Sequence, residues 1–237
     1  MQNVINNNQN KKKGYYAALL YLIWPLLSVA SAFRNFREPW AKNIFWAFCA
    51  FFGFTYAIGA ESAESDIVRY VARLEMMHAM GFSIESAISY FAESGNIDIY
   101  NTALTFLISQ FTDSQAVFTM IVAVIFGFFF SRNVWYIMNR LEGALMPVTI
   151  LLLFSLMLVN PIWNITGVRM WTAVHMFIYG LLPYLVEGRK NGLFIAALSI
   201  LVHFSMIVPV MILFGYMLAG NWITAYFCFF LLTFFIF

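Results

Sequence analysis

Long apolar runs separated by a few short polar stretches make up this chain of 237 residues. A helix needs about 20 mostly apolar residues to cross a hydrocarbon layer about 30 Å thick. By that measure the sequence predicts six or seven spans, at roughly residues 15–33, 43–60, 115–138, 144–160, 168–186, 192–216 and 222–237. The last run ends at Thr233-Phe234-Phe235-Ile236-Phe237 without a polar flank or basic anchor, so the chain is expected to be a fragment of a longer protein. Residues 1–14 read as a polar, Asn-rich tail carrying Lys11, Lys12 and Lys13, and residues 15–237 as one transmembrane domain without a fixed-period repeat. The apolar run after the tail has no Ala-x-Ala-like cleavage site, which favours a retained helix over a signal peptide. The expected fold is all-α: a polytopic transmembrane helix bundle with an outer-face helical segment between the second and third spans.

That segment is the one long polar stretch, residues 61–100. Inside it Ile67, Tyr70, Val71, Leu74 and Met77 recur at spacings of three and four, the pattern of a helix with one apolar face. Residues 101–111 are apolar but too short to cross alone, which suits a re-entrant or interfacial helix. The stretch holds Glu61, Glu64, Asp66, Glu75, Glu85, Glu93 and Asp98 against only Arg69 and Arg73. Lys and Arg concentrate on the cytoplasmic side of membrane proteins, so a long stretch poor in them belongs outside. Alternation of the spans then puts Arg132, Arg140 and Glu187-Gly188-Arg189-Lys190 inside, and the loop from Asn160 to Arg169 outside. One conflict is left. The loop with Arg34, Arg37 and Lys42 also falls inside, which forces the Lys11 to Lys13 run outside unless the first apolar segment does not span.

Composition points the same way: 62% of residues are hydrophobic, 19% aromatic and 10% charged, with mean hydropathy +0.79. A soluble domain carries about 25% charged residues. There is too little polar surface here to cover a water-facing globule, whereas a bilayer requires an apolar exterior. A net charge of +2, with the bases in a few short stretches, gives no sign of a nucleic-acid surface. Cys49 and Cys228 lie in different apolar runs and suggest neither a disulfide framework nor a zinc motif.

A few polar side chains stand out from these runs. Arg169 is the only Lys or Arg between Arg140 and Arg189, and it follows Asn164 and Thr166. A mid-bilayer Arg costs about 2.5–3.5 kcal/mol on insertion scales. It is either a snorkelling cation near a helix start or a functional one, since a permanently charged, fork-shaped donor suits phosphate groups. His203 falls about halfway along its expected span, either as a ring hydrogen-bonded to a neighbouring helix or as a general base near neutral pH. Glu64, Asp66, Arg69, Tyr70 and Arg73 cluster just beyond the second span. Asp66 and Tyr70 lie four apart, as do Arg69 and Arg73, so each pair shares a helix face; a solvated face with internal ion pairs has the same spacing. His78, His175 and His203 show no metal-ligand spacing. Trp40, Trp135 and Trp222 near span ends read as interface anchors, and Trp163 and Trp171 flank Arg169.

Asp66-x-x-x-Tyr70, then Asn164-x-x-x-x-Arg169 with Ala173 after it, a basic Gly188-Arg189-Lys190 hairpin, and His203-Phe204-Ser205 follow one another along the chain. This ordered set resembles the EpsG family of Wzy-like polysaccharide polymerases, multispan enzymes of bacterial exopolysaccharide and capsule assembly, over roughly residues 40–215. The resemblance implies a glycosyltransferase of the bacterial inner (cytoplasmic) membrane, working without cofactor or metal. It would move a glycan from one undecaprenyl diphosphate carrier to the sugar of another at the outer face. Arg169, with Arg69, would stabilise the departing diphosphate. His203 or Asp66 would take the proton from the acceptor hydroxyl, and Tyr70, Asn164 and Ser205 would contact substrate. The implied partners are an undecaprenyl-diphosphate-linked oligosaccharide, the lipid bilayer, and other polysaccharide assembly and export proteins. On the same resemblance, the C-terminal helices of the family are missing. An O-antigen ligase-like transferase would use the same donor. A lipid-linked glycan transporter or flippase would line its path with Arg169 and His203, although the sequence shows no paired Gly/Pro-broken helices in two halves. A membrane subunit without catalysis would tolerate substitution at each of these residues.

Overall fold

The computed structural model describes residues 2–58, 66–93, 99–141, 148, 151–152, 155, 161–220, 222–224 and 227–228, and the regular structure among them is all helical. In chain order the α-helices are α1 (Gln2–Ile23), α2 (Pro25–Arg34), α3 (Ala41–Thr55), α4 (Asp66–Ala79), α5 (Ile84–Glu93), α6 (Ile99–Ser109), α7 (Gln115–Met138), α8 (Met170–Glu187), α9 (Leu193–Val202) and α10 (Ile207–Ala219). Short 3-10 turns occupy Ile162–Thr166, Lys190–Gly192 and Phe204–Met206. Most of the spans expected at 144–160 and 222–237 lies outside the described residues, as do Glu61, Glu64, Asp98 and Asn160. Among the described residues one helix, α7, is long and apolar enough to cross a membrane. Its bounds are those its apolar run predicts.

The core forms where α7 runs antiparallel to α3. Cys49 and Gly53 on α3, and Ala123 and Gly127 on α7, place small residues four apart on both faces, so the backbones approach closely. A Cβ added at Gly127 would lie 2.9 Å from Cys49 Sγ. Trp46 Nε1 donates to the Val124 carbonyl at 2.8 Å, and Arg132 donates to Asn43 Oδ1 at 2.9 Å. Trp135, expected as an interface anchor, is instead a core residue, 2% exposed. Its ring contacts Phe33 and Phe45, and its N–H donates to the Phe36 carbonyl at 2.9 Å, so the amphipathic tip is satisfied inside the protein.

α8 lies parallel to α7. Phe126 and Phe130 contact the His175 ring, Phe129 contacts Tyr179, and Arg140 pairs with Glu187. Asn133 Nδ2 donates to the His175 carbonyl at 2.8 Å, a buried polar link of the kind that joins helices in apolar surroundings. Leu141, which follows α7, and Pro161, which precedes α8, therefore lie at opposite ends of this helix pair.

Two expected spans are not continuous helices. The run 15–33 breaks at Trp24 (φ −147°, ψ 87°), because a proline drives the residue before it out of the helical region and itself starts the next helix well. A straight helix would separate Lys13 from Arg34 by about 30 Å. Instead Lys13 Nζ lies 3.6 Å from Glu38, and Gly14 abuts the Trp40 ring, so α2 folds back beside α1. The run 192–216 breaks at His203 (φ −148°, ψ 122°). α9 runs antiparallel to α8, with Gly180 against Gly192, yet Tyr216 of α10 meets Tyr184 of α8 at 6.5 Å between ring centres. α10 therefore turns back as well. With 10 residues in α2, 10 in α9 and 13 in α10, these arms are about 15–20 Å long, short of a bilayer's hydrocarbon thickness. The polar residues read as a tail are continuous with α1 from Gln2, since extending an existing helix adds one hydrogen bond per residue fixed.

The charges sort to two ends. Lys13 beside Glu38, Arg132 on Asn43, and Glu187 between Arg140 and Arg189 mark one end as basic. α4, α5 and the start of α8 lie at the other, with Asp66, Glu75, Glu85 and Glu93 against Arg69, Arg73 and Arg169. Because α2 folds back beside α1, Lys13 lies at the same end as Arg34, Arg37 and Lys42.

Candidate functional site

α4 opens on Asp66, a carboxylate in the first turn where the helix dipole favours it. Ile67, Tyr70, Val71, Leu74 and Met77 are buried, as their spacing predicts. That burial fixes which way the polar face points. On it, Asp66 Oδ1 accepts from the Arg69 guanidinium one turn along, and Asp66 Oδ2 lies 3.7 Å from Arg169 Nη2. Arg169 precedes the first residue of α8 and sits over the Tyr70 ring, 5.6 Å from its centre. Arg73 lies 6.0 Å from the Tyr70 ring and 5.4 Å from that of Tyr90 on α5. The fold thus brings Asp66, Arg69, Tyr70 and Arg169 into one constellation. Burial raises the Tyr70 phenol above its ordinary value, and the Arg169 charge pulls it partly back.

Arg169 is held by its neighbours. Ile165 and Val168 are each 1% exposed, and the Thr172 hydroxyl donates to the Val168 carbonyl at 2.8 Å. Asn164, in the 3-10 turn before it, keeps a buried Nδ2 with no hydrogen-bond partner among the described residues.

Tyr100, at the start of α6, was not singled out by the sequence. Its hydroxyl faces Thr172, whose own hydroxyl is taken by Val168, and no hydrogen bond of ordinary geometry is completed on it. Burial drives its pKa well above the usual phenol range. Tyr100 packs against both the main core and a small cluster of Ala173, Val202 and Met206. Ala173 is one turn along α8 from Arg169, their backbones bonded at 2.9 Å. This contact brings the break at His203 to the Arg169 end of α8. The sequence did hold a signal for α6: Asn101, Thr105 and Ser109 recur every fourth residue in an apolar run, and all three are buried. The Ser109 carbonyl meets His78 Nδ1 at 2.6 Å, which ties α6 to α4.

At the break, His203 Nδ1 lies 2.7 Å from Ser205 Oγ and accepts the Ser205 backbone N–H at 3.2 Å. A backbone N–H only donates, so Nδ1 is the unprotonated nitrogen, and a neutral ring carries its proton on Nε2. In this arrangement Nε2 is a donor.

Between α5 and α6 an apolar groove of about 220 Å³ is lined by Ile84, Ile88, Phe91, Ile99, Thr102 and Phe106. Thr102 Oγ1 is buried there without a hydrogen-bond partner among the described residues. Among the described residues, no three His, Cys, Asp or Glu side chains gather closely enough to hold a metal ion. Among the described residues, the site offers cationic donors and the Asp66 carboxylate beside buried hydroxyl and amide groups.

No family model, curated protein or solved structure matches this chain.

Proposed function

We propose that this protein is a polysaccharide polymerase of the bacterial inner membrane, crossing the bilayer several times. It transfers a glycan from one undecaprenyl diphosphate carrier to the sugar of another at the outer face. The observation that carries this reading is the meeting of Asp66 and Arg169, distant in sequence, over the buried Tyr70 ring. Two features support a bilayer setting. α10 buries only Leu213 and exposes Ile207, Val208, Met211, Ile212 and Phe214, an apolar surface that suits lipid rather than water. The larger share of bases at the end of Lys13, Arg132, Arg140 and Arg189 suits an inner side there and an outer side at Asp66 and Arg169.

The acceptor hydroxyl attacks the anomeric carbon, the bond from that carbon to the diphosphate oxygen breaks, and its electron pair leaves with the diphosphate. Arg169 and Arg69 stabilise that growing charge by charge-assisted hydrogen bonds. In the free protein both cations rest on Asp66. Incoming diphosphate takes them over and releases the carboxylate, which accepts the hydroxyl proton. His203, at the break that meets the Arg169 end of α8, is the competing candidate for that proton. The groove between α5 and α6 has the apolar lining a polyprenyl tail needs.

The test is elongation of a synthetic undecaprenyl-diphosphate oligosaccharide by protein purified in detergent. Arg169→Ala is expected to lower the rate about 10²–10³-fold while the protein still accumulates in membranes. Wild-type ladders from that variant would refute the assignment.

A second reading, a lipid-linked glycan flippase, draws support from the breaks at Trp24 and His203, since discontinuous helices frame binding sites in transporters. It gains if the wild-type protein binds or translocates the lipid-linked glycan and elongates nothing.

A further inference from the structure

At the basic end, far from Asp66 and Arg169, a cavity of about 320 Å³ opens between the last turns of α7, the C-terminal half of α8 and the 190–192 turn. Arg132, Tyr136, Tyr179, Arg189 and Asn191 line it. Its size falls at the lower end of small-ligand pockets, and its lining holds two guanidiniums and no carboxylate.

The charges around it are unbalanced. Arg132 has no carboxylate partner among the described residues: its guanidinium donates to Ser131 Oγ and Asn43 Oδ1 and lies over the Trp46 and Phe128 rings at 4.6 and 4.3 Å. Among the described residues, Glu187 is the acid that meets these bases: it is shared by Arg140 and Arg189 and also accepts from the Tyr136 hydroxyl at 3.1 Å. Lys190 adds a further base in the adjoining turn. The shape is fixed by backbone contact, because a Cβ at Gly192 would lie 2.7 Å from the Gly180 carbonyl oxygen. Arg132 is therefore held in position by two aromatic faces, the Ser131 hydroxyl and the Asn43 amide oxygen, with donor capacity left for an anion.

We propose that this cavity binds a phosphate group, either that of an anionic phospholipid head at the inner membrane surface or phosphate free in solution. Basic pockets between helices on the cytoplasmic side are suited to anionic lipid heads, and paired guanidiniums recognise phosphate oxygens by forked hydrogen bonds. The proposal rests on the membrane setting given above but not on polymerase activity.

Protein purified in detergent is titrated with phosphatidylglycerol, phosphatidylcholine or inorganic phosphate, with binding followed by thermal shift and native mass spectrometry. Phosphatidylglycerol is expected to bind at least tenfold more tightly than phosphatidylcholine. Arg132→Gln and Arg189→Gln should each weaken it about tenfold, the loss of one charge-assisted hydrogen bond. Arg189 is exposed, so its variant keeps the test valid if Arg132→Gln fails to fold. If inorganic phosphate gives the same Arg-dependent shift and displaces phosphatidylglycerol, the site takes free phosphate; if it does neither, the lipid head is the source. Equal binding of the two lipids with no response to phosphate, or unchanged phosphatidylglycerol binding in both variants, overturns the proposal. Arg169→Ala serves as the control that separates the sites: it should bind phosphatidylglycerol as wild type does, whatever happens to elongation.

Discussion

Replacing Gly127 with Ala places a methyl group where α3 already stands. Its carbon would lie 2.9 Å from Cys49 Sγ and closer still to Cys49 Cβ, inside the 3.5–4.0 Å at which carbon atoms pack best. The helices must separate by about 0.5–1 Å, and a gap of that size forfeits a quarter to a half of the dispersion energy of the atoms lining it. Overpacking of this kind costs about 1–3 kcal/mol. The single variant understates the effect, because Ala gains about 1 kcal/mol over Gly in a helix interior. A double-mutant cycle with Cys49→Gly removes that contribution, since propensity changes at the two positions cancel in the coupling energy. The double variant carries the close Cβ on α7 in place of α3, which removes the overlap at the cost of the Cys49 thiol. We expect a coupling of about 1–3 kcal/mol in its favour, with about 2–4 °C of unfolding midpoint for each kcal/mol. Thermal unfolding in detergent, followed by tryptophan fluorescence, reads it directly, as Trp46 bonds to Val124 across the same crossing. Additivity within about 0.5 kcal/mol would refute the close approach of α3 and α7 at these residues.

Tyr70 and Tyr100 both titrate higher in the fold than in the unfolded chain, chiefly through burial. Their contribution to stability is fully present below the unfolded phenol value of about 10 and is lost as pH rises toward the folded value, because the unfolded chain then releases the protons first. The denaturation midpoint should fall above about pH 10, and fall less steeply in a Tyr70→Phe, Tyr100→Phe double variant; identical slopes would count against burial as the cause. His203→Ala removes the acceptor for the Ser205 N–H and should destabilise by about 0.5–2 kcal/mol, whereas His203→Asn, which keeps a capping side chain, should cost less. Equal losses in a chemical-denaturation comparison would show that the ring's packing, and not its cap, matters there.

The sequence alone determined the elements that depend on local pattern. The long, mostly apolar run of residues 115–138 set the bounds of α7, and the three-and-four spacing from Ile67 to Met77 set the buried face of α4. Pro25 carried the signal for the break at Trp24, although the length of its apolar run hid it. Hydrophobic length records how much of a segment avoids water and is blind to direction, so the same run serves one crossing or two short arms folded together. Tertiary structure decided what depends on such directions. The folding back of α2 and α10 put Lys13 beside Glu38 and Tyr216 beside Tyr184. Trp135 meets the same limit, because an apolar ring with a polar tip fits an interface as well as a core, and only the Phe36 carbonyl inside made it core. Arg169 was legible as a charge in an apolar run and Asp66 as part of a polar cluster, but their meeting was not, because a charge advertises its cost of burial and not the partner that offsets it.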